Sequence, residues 1–336
     1  MIQQAIAKLV QNQHLSAAEA EQVMDQIMTG EATPAQIGGY LVALRMAGET
    51  PEEIAGSVRS MRAKATRVST KHPLVVDTCG TGGDGAHTFN ISTTAAFAVA
   101  GAGLPVAKHG NRSVSSKCGS ADVLKALGVN IEAAPERVGL CLDEAGYGFL
   151  FAPMLHGAMK HAIGPRRELA MRSIFNVMGP LTNPAGAQCQ LVGVYDASLT
   201  ELVAEVLGKL GAKRALVVHG HDGMDELTLT GPTRVSEWDG HRVKTYDVKP
   251  EAAGLKSVPA KELAGGDPAQ NAEISRSILS GEKGPRRDVV LLNAAAALMA
   301  GGKAQGLREG AELAGKAIDS GAALRALDRL VELSNA

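Results

Sequence analysis

The sequence predicts an α/β protein in two parts: a small N-terminal all-helical domain over residues 1–70, and a large α/β domain over 71–336 with a mainly parallel central sheet. Helix-start signatures follow one another through the first 53 residues with no strand pattern between them. From Pro73 onward, short apolar runs alternate with helical stretches. A chain of 336 residues also exceeds the roughly 250–300 residues at which single cores stop growing.

In the N-terminal part, Ser16, Thr33 and Thr50 are each followed three residues later by Glu19, Gln36 and Glu53. This is the capping-box spacing, in which hydroxyl and acid or amide each satisfy an orphan N–H of the first turn. Pro34 and Pro51 fall at the first helical position, where the missing N–H costs nothing, and Gly30 and Gly48 stand as stops. About four helices are expected here and no strand.

Beyond Pro73, strands are expected near 74–77, 104–107, 148–152, 190–194 and 214–219, and helices over 92–101, 121–128, 135–145 and 198–210. Such alternation implies a mainly parallel sheet covered by helices, with ligands at the carboxyl ends of the strands. Residues 156–184 are too polar and too long for a simple connection. They are expected to cross back to the helical unit or to cover the sheet edge. Residues 234–248 read as a hairpin turning at Asp239-Gly240, and the chain returns to helix from Pro268.

Thirty-four basic against 35 acidic residues leave a formal net charge of -1, which argues against a nucleic-acid or membrane-surface protein. The longest apolar stretch, 289–300, is interrupted by Asn293 and is too short to span a bilayer. The first residues lack the apolar block of a signal peptide. Cys79, Cys118, Cys141 and Cys189 show no CxxC or zinc-like spacing, so most of them read as small buried hydrophobes in a reducing cytoplasm.

The candidate site begins with Gly80, Gly82, Gly83 and Gly85 directly after the first strand. Between Gly85 and Ala121 there is no Asp or Glu, while Lys108, Arg112 and Lys117 are present, a pattern suited to cradling an anion. A dinucleotide reading of G-x-G-x-x-G needs an acid at the end of the next strand, where Lys108-His109-Gly110-Asn111-Arg112 stands instead. The P-loop pattern also fails. What remains is a phosphate-bearing small molecule held by two strand ends. The glycine N–H groups, the helix start at Asn90, Ser92, Thr93 and Thr94, and Lys108, Ser115, Ser116 and Ser120 would hold it. Glycine turns after strands are common and need bind nothing; the adjoining acid-free run is what favours a function.

Two further clusters lie downstream. The run His219-Gly220-His221-Asp222-Gly223-Met224-Asp225-Glu226 ends in adjacent carboxylates, which suit Mg²⁺ bound mainly through a phosphate substrate. Zinc through His219 and His221 is the alternative, without partner spacing. One of Arg166 and Arg167 can hold a carboxylate in bidentate fashion; for His156 alone, a surface or core histidine is the simpler reading.

Taken together, DTCGTGGDG at 77–85, NIST at 90–93, KHGNRSVSSKCGSAD at 108–122, the 156–185 region and HGHDGMDELTLTGPT at 219–233 resemble the anthranilate phosphoribosyltransferase family over essentially the whole chain. The resemblance implies a fold of the nucleoside phosphorylase/phosphoribosyltransferase type, its helical domain completed by part of 156–184, and homodimers formed through the helical domains. It implies transfer of the phosphoribosyl group of phosphoribosyl pyrophosphate to anthranilate in tryptophan biosynthesis. Carried over by motif position, the donor contacts fall on Gly80, Gly83, Asp84, Thr88, Asn90, Ile91, Ser92, Thr93, Lys108, His109, Gly110, Asn111, Arg112, Ser113, Val114, Ser115, Ser116 and Ser120. Anthranilate contacts fall on Gly80, Asn111 and Arg166, and ligands for two Mg²⁺ per subunit on Ser92, Asp225 and Glu226. Gly157, where proline is expected after the histidine, is the one departure noted. The aromatic amine is neutral at pH 7, so no general base is obligatory; His109 and His156 are the candidates to line its approach. A pyrimidine nucleoside phosphorylase should not need the carboxylate pair or the carboxylate clamp. A nucleic-acid-binding protein would need a basic surface.

Overall fold

The computed structural model describes residues 1–113 and 117–336. Four helices open the chain, α1 (Ile2–Leu9), α2 (Ala17–Thr29), α3 (Pro34–Ala47) and α4 (Pro51–Lys64). All three expected capping boxes form, at Ser16/Glu19, Thr33/Gln36 and Thr50/Glu53. Gly30 closes α2 in the left-handed conformation, φ 80°. Glu53 does more than cap its own helix. It is fully buried, and its Oε1 accepts the Leu15 N–H at 2.8 Å while Oε2 accepts the Thr50 N–H at 2.8 Å. One carboxylate thus ties the α1–α2 connection to the start of α4.

Seven strands form one sheet: β1 (Val76–Gly80), β2 (Val106–Gly110), β3 (Tyr147–Phe151), β4 (Cys189–Gly193), β5 (Arg214–Gly220), β6 (Thr233–Trp238) and β7 (Val243–Val248). Their order is β3-β2-β1-β4-β5-β6-β7. The first five are parallel, and β6 and β7 add antiparallel at one edge as the expected hairpin. β1 and β2 begin two residues later than their apolar runs and continue into glycine. Gly80 pairs with Gly193 and Gly110 with Phe151, so the neighbouring strand extends a ladder that local composition would have ended.

Side chains of β4 and β5 alternate between two cores, as a pleated strand requires. Leu191, Leu216 and Val218 pack with the helices Ile91–Gly101, Pro285–Ala300, Leu307–Asp319 and Ala322–Asn335. Val192, Ala215 and Val217 face the other way, into a core shared with the helix Leu199–Lys209 and with α1 to α4. The sheet is therefore covered on both faces.

Of the two placements open to residues 156–184, the chain crosses back. A short helix Ala152–Leu155 and a 3₁₀ turn Gly157–Met159 lead into the helices Lys160–Leu169 and Ile174–Met178. Lys160–Leu169 packs on α2 and α3, and Ala162, Ile174, Phe175 and Leu181 join the helical core. Among the described residues, no helix is long and apolar enough to cross a membrane.

Because Glu53 serves two connections, Glu53→Ala is expected to lower the stability of the helical unit by about 1–3 kcal/mol, and Glu53→Gln by less, since one acceptor oxygen remains. Urea melts followed by circular dichroism would measure this; identical midpoints for the two variants would contradict the shared role.

Candidate active site

The strand order places a crevice at the ends of β1 and β4. The chain runs from β1 outward through β2 and β3 on one side, and from β4 through β5 on the other, which makes this the topological switch point. Gly80 and Gly193 face each other there. A Cβ on Gly80 would meet the Asp225 carboxylate, and one on Gly193 would run into the Asp225 backbone. Two absent side chains thus create the space that Asp225 fills.

The glycine turn then closes on the same residue. Gly82 and Gly83 take φ of 68° and 75°, a conformation glycine adopts without strain. The Gly82 N–H donates to Asp225 Oδ2 at 2.7 Å, and the Asp225 N–H to Asp84 Oδ2 at 3.4 Å. The Ser92 N–H, at the start of the helix Ile91–Gly101, donates to Glu226 Oε1 at 3.1 Å. Ser92, Asp225 and Glu226 therefore converge from sites far apart in sequence. Leu227, the next residue, is clamped by the buried Asn293: its N–H donates to Asn293 Oδ1 at 3.0 Å and its carbonyl accepts from Nδ2 at 2.9 Å.

Electrostatically, this convergence carries a cost. Burial, reinforced by Asp84, pushes the Asp225 carboxyl well above the usual carboxylate range. Burial, reinforced by Asp225, does the same to Glu226, opposed by the Lys108 ammonium. Two desolvated carboxylates beside a hydroxyl form a hard-oxygen donor set that a divalent cation such as Mg²⁺ relieves. Among the described residues there is no group of three or more His, Cys, Asp or Glu poised for a metal. A cation here would complete its shell with water and substrate oxygens, which is how Mg²⁺ is usually held. The zinc alternative does not fit. His219 Nδ1 lies 2.8 Å from the Val194 carbonyl, and His221 faces Asp247 at 3.5 Å.

The second strand end is organised differently from the sequence expectation. Lys108 is buried, and its ammonium turns back under the site to the Thr78 carbonyl and, at 3.3 Å, the Ser92 Oγ. Arg112 pairs with Asp122 at 3.4 Å and Glu132 at 3.7 Å, acids lying just beyond the acid-free run. Asp122 Oδ2 also accepts the N–H groups of Ser113 and Gly119, folding the turn back on itself. Ser120 Oγ donates to the Asn111 carbonyl at 3.2 Å, and a Cβ on Gly110 would strike Ser120 and Phe149. Val114, Ser115 and Ser116 lie outside the described residues. Asn90 bonds Cys118 and Asn271, Thr88 bridges Ala264, and Ile91 and Thr93 are buried. The Asn90 side chain and the Thr88 backbone bridge hold the helix start in place.

The crossing segment meets the cradle through histidines. The Gly179 carbonyl lies 3.1 Å from His109 Nδ1 and can only accept, so Nδ1 carries the proton. His109 Nε2 then accepts from His156 Nε2 at 3.1 Å. Burial pushes His109 down to about 3 and His156 to about 4, so both rings are neutral at pH 7. Beneath them Asp77, raised to about 6 by burial, accepts the His109 backbone N–H at 3.0 Å and an Asn183 Nδ2–H at 2.7 Å. Arg166 lies over the Phe175 ring at 4.9 Å and is half-buried, while Arg167 is exposed. Asp77, Asn183, Gly193 and Asn293 escaped the sequence reading as site residues. A buried polar residue inside an apolar run, as Asn293 is, was the one signal available.

Comparison with known proteins agrees with this geometry. The "Glycosyl transferase family, helical bundle domain" matches residues 3–65 and the "Glycosyl transferase family, a/b domain" residues 72–324. Anthranilate phosphoribosyltransferase of Moorella thermoacetica is 59% identical over 331 residues, covering 98% of each chain. That of Symbiobacterium thermophilum is 58% identical over 330 residues, covering 98% of this chain and 97% of its own. Among solved structures, the anthranilate phosphoribosyltransferase of Thermus thermophilus superposes with a TM-score of 0.94 at 46% identity over 99% of both chains. The Saccharomyces cerevisiae enzyme in complex with PRPP and Mg gives 0.90 at 28% identity over 99% of this chain and 98% of its own. Full-length identity, fold and the meeting of glycine turn with carboxylate pair lead to one assignment: the chain belongs to the anthranilate phosphoribosyltransferase family.

Proposed function

We infer that the protein transfers the phosphoribosyl group of 5-phosphoribosyl 1-pyrophosphate to the amine of anthranilate, giving N-(5-phosphoribosyl)anthranilate and pyrophosphate, a step of L-tryptophan biosynthesis. The observation that carries this reading is the convergence of Asp225 and Glu226 on the Gly82 and Ser92 N–H groups at the β1/β4 switch point. The yeast relatives are described in complex with PRPP and Mg and with 4-fluoroanthranilate, which supports the same pair of substrates here.

Breaking the C1–O bond of the donor leaves negative charge on pyrophosphate and positive charge on the sugar. In this proposal the donor is held by the glycine turn 80–85 with Asp84, by Thr88, by the helix start at Asn90, Ile91, Ser92 and Thr93, and by the described part of the 108–120 run. The Gly82 and Ser92 N–H groups are already engaged by Asp225 and Glu226, so these donors fix the carboxylate pair, and the turn's remaining donors are left for the leaving group. Ser92, Asp225 and Glu226 would hold Mg²⁺, two ions per subunit in this proposal; when bound, it offsets the charge on pyrophosphate. Arg166 would clamp the anthranilate carboxylate, with Asn111 and Gly80 orienting the ring. Neutral His109 and His156 wall the approach. Both ring nitrogens of His109 are engaged, so it offers no free lone pair to take the amine proton.

The helical unit 1–70, completed by part of 156–184, would act as one body and 71–336 as the other; the shared core of Ala162, Ile174 and Phe175 with α1 to α4 supports this. Homodimerisation through the helical domains is supported by exposed apolar side chains there, Met46 at 83% and Val10 at 67%. The free thiols, three of them buried, suit a reducing cytoplasm.

Asp225→Asn combined with Glu226→Gln is expected to lower kcat/KM for the donor by on the order of 100-fold, and excess chelator should stop the wild-type reaction. Undiminished turnover in chelator would remove the metal role. Arg166→Ala should raise KM for anthranilate about tenfold while KM for the donor holds, as loss of a charge-assisted clamp predicts. Steady-state kinetics following anthranilate fluorescence would show the split, and an unchanged anthranilate KM would take Arg166 out of the clamp. Light scattering should report twice the chain mass, falling to the chain mass with Met46→Glu and Val10→Glu; a wild-type monomer would contradict the dimer.

A further inference from the structure

We propose that Arg172 is a positioning residue that latches the glycine turn to the segment holding the acceptor clamp; this rests on the reading above, in which the turn holds the donor. Arg172 lies between the helix Lys160–Leu169, which bears Arg166, and the helix Ile174–Met178, which bears the Phe175 ring beneath Arg166. Its own guanidinium stacks over the Tyr195 ring at 3.6 Å and donates through Nη2 to the Gly83 carbonyl at 2.8 Å. Tyr195 follows the end of β4, and its N–H donates to Thr81 Oγ1 at 3.0 Å, while the Thr81 N–H donates to the Gly193 carbonyl at 2.9 Å. The glycine turn is therefore held from below by β4 and from outside by one arginine.

The choice of arginine matters. A planar guanidinium can lie flat on an aromatic face and still donate in its own plane, which an ammonium cannot do. The Gly83 carbonyl takes the arginine, while the preceding Gly82 N–H donates to Asp225 Oδ2 on the carboxylate side of the same turn. Holding that carbonyl orients the next peptide. Arg172 touches no reacting atom in this scheme. It acts through Gly83, and it links the acceptor side to the donor side by a contact independent of the histidine pair.

Amide hydrogen exchange over residues 80–86 tests the latch directly in the full chain, alongside steady-state kinetics. Arg172→Ala should speed exchange there about fivefold and raise KM for the donor by a similar factor, with kcat at saturating donor, anthranilate KM and melting temperature near wild type. Arg172→Lys should recover part of both effects, because it keeps a donor but not the stacked plane. Should Arg172→Ala fail to fold, Tyr195→Leu removes only the ring beneath the guanidinium and carries the same readout. Unchanged exchange over 80–86 overturns the latch, and so does faster exchange spread through the whole chain with a lower melting temperature. Absence of wild-type turnover would overturn the proposed reaction instead, leaving the exchange result to decide the latch.

Discussion

Two glycines paired across adjacent strands create the space on which the rest of the site depends. With no side chain at Gly80 or Gly193, the Asp225 backbone and carboxylate settle onto the ends of β1 and β4. Everything that meets there follows from that settling: the Gly82 N–H reaches one carboxylate, the Ser92 N–H the other, and Asn293 fixes the following backbone. Burial makes both carboxylates hard to ionise alone. A half-buried negative pair of this kind is poorly compensated by one ammonium beneath it, and it becomes favourable when a cation and its phosphate ligand enter together.

The crossing segment joins the two cores through polar contacts rather than by burying apolar surface alone. Asn183 reaches Asp77, the Gly179 carbonyl reaches His109, and His156 donates to the same ring. Each is a buried polar group, so each must find its partner or lose the desolvation energy outright. That requirement sets the relative position of helical unit and sheet more sharply than nonspecific packing would. Burial keeps both histidines neutral, and a charge on the His156 ring would further disfavour one on His109.

Small side chains make the large domain's close packing possible. The helices Ile91–Gly101 and Pro285–Ala300 carry runs of buried alanine, Ala95, Ala96 and Ala98 around the buried Phe97 ring in the first and Ala294 to Ala297 in the second. Phe97 stacks on Tyr147 of β3 with ring centroids 4.3 Å apart. A chain with 3% aromatic residues fills its core by close helix–sheet approach, with few large rings.

Local signals were legible wherever the chain satisfies its own backbone. Three capping boxes, the hairpin at Asp239-Gly240 and the alternation of strand and helix all lie in contiguous residues, because a hydroxyl three positions from an acid or a glycine in a turn needs no partner from elsewhere. The glycine turn and the Asp225-Glu226 pair were equally visible as local patterns. The tertiary structure alone decided how they meet. Strand order put β1 beside β4 and carried both strands into glycine; the first acids beyond the acid-free run folded back onto Arg112; Lys108 turned inward; and Gly193, unremarked in sequence, proved to make room for Asp225. The physical reason is common to all four: pairing, burial and steric space depend on residues brought near by the fold, and sequence spacing holds no record of that distance.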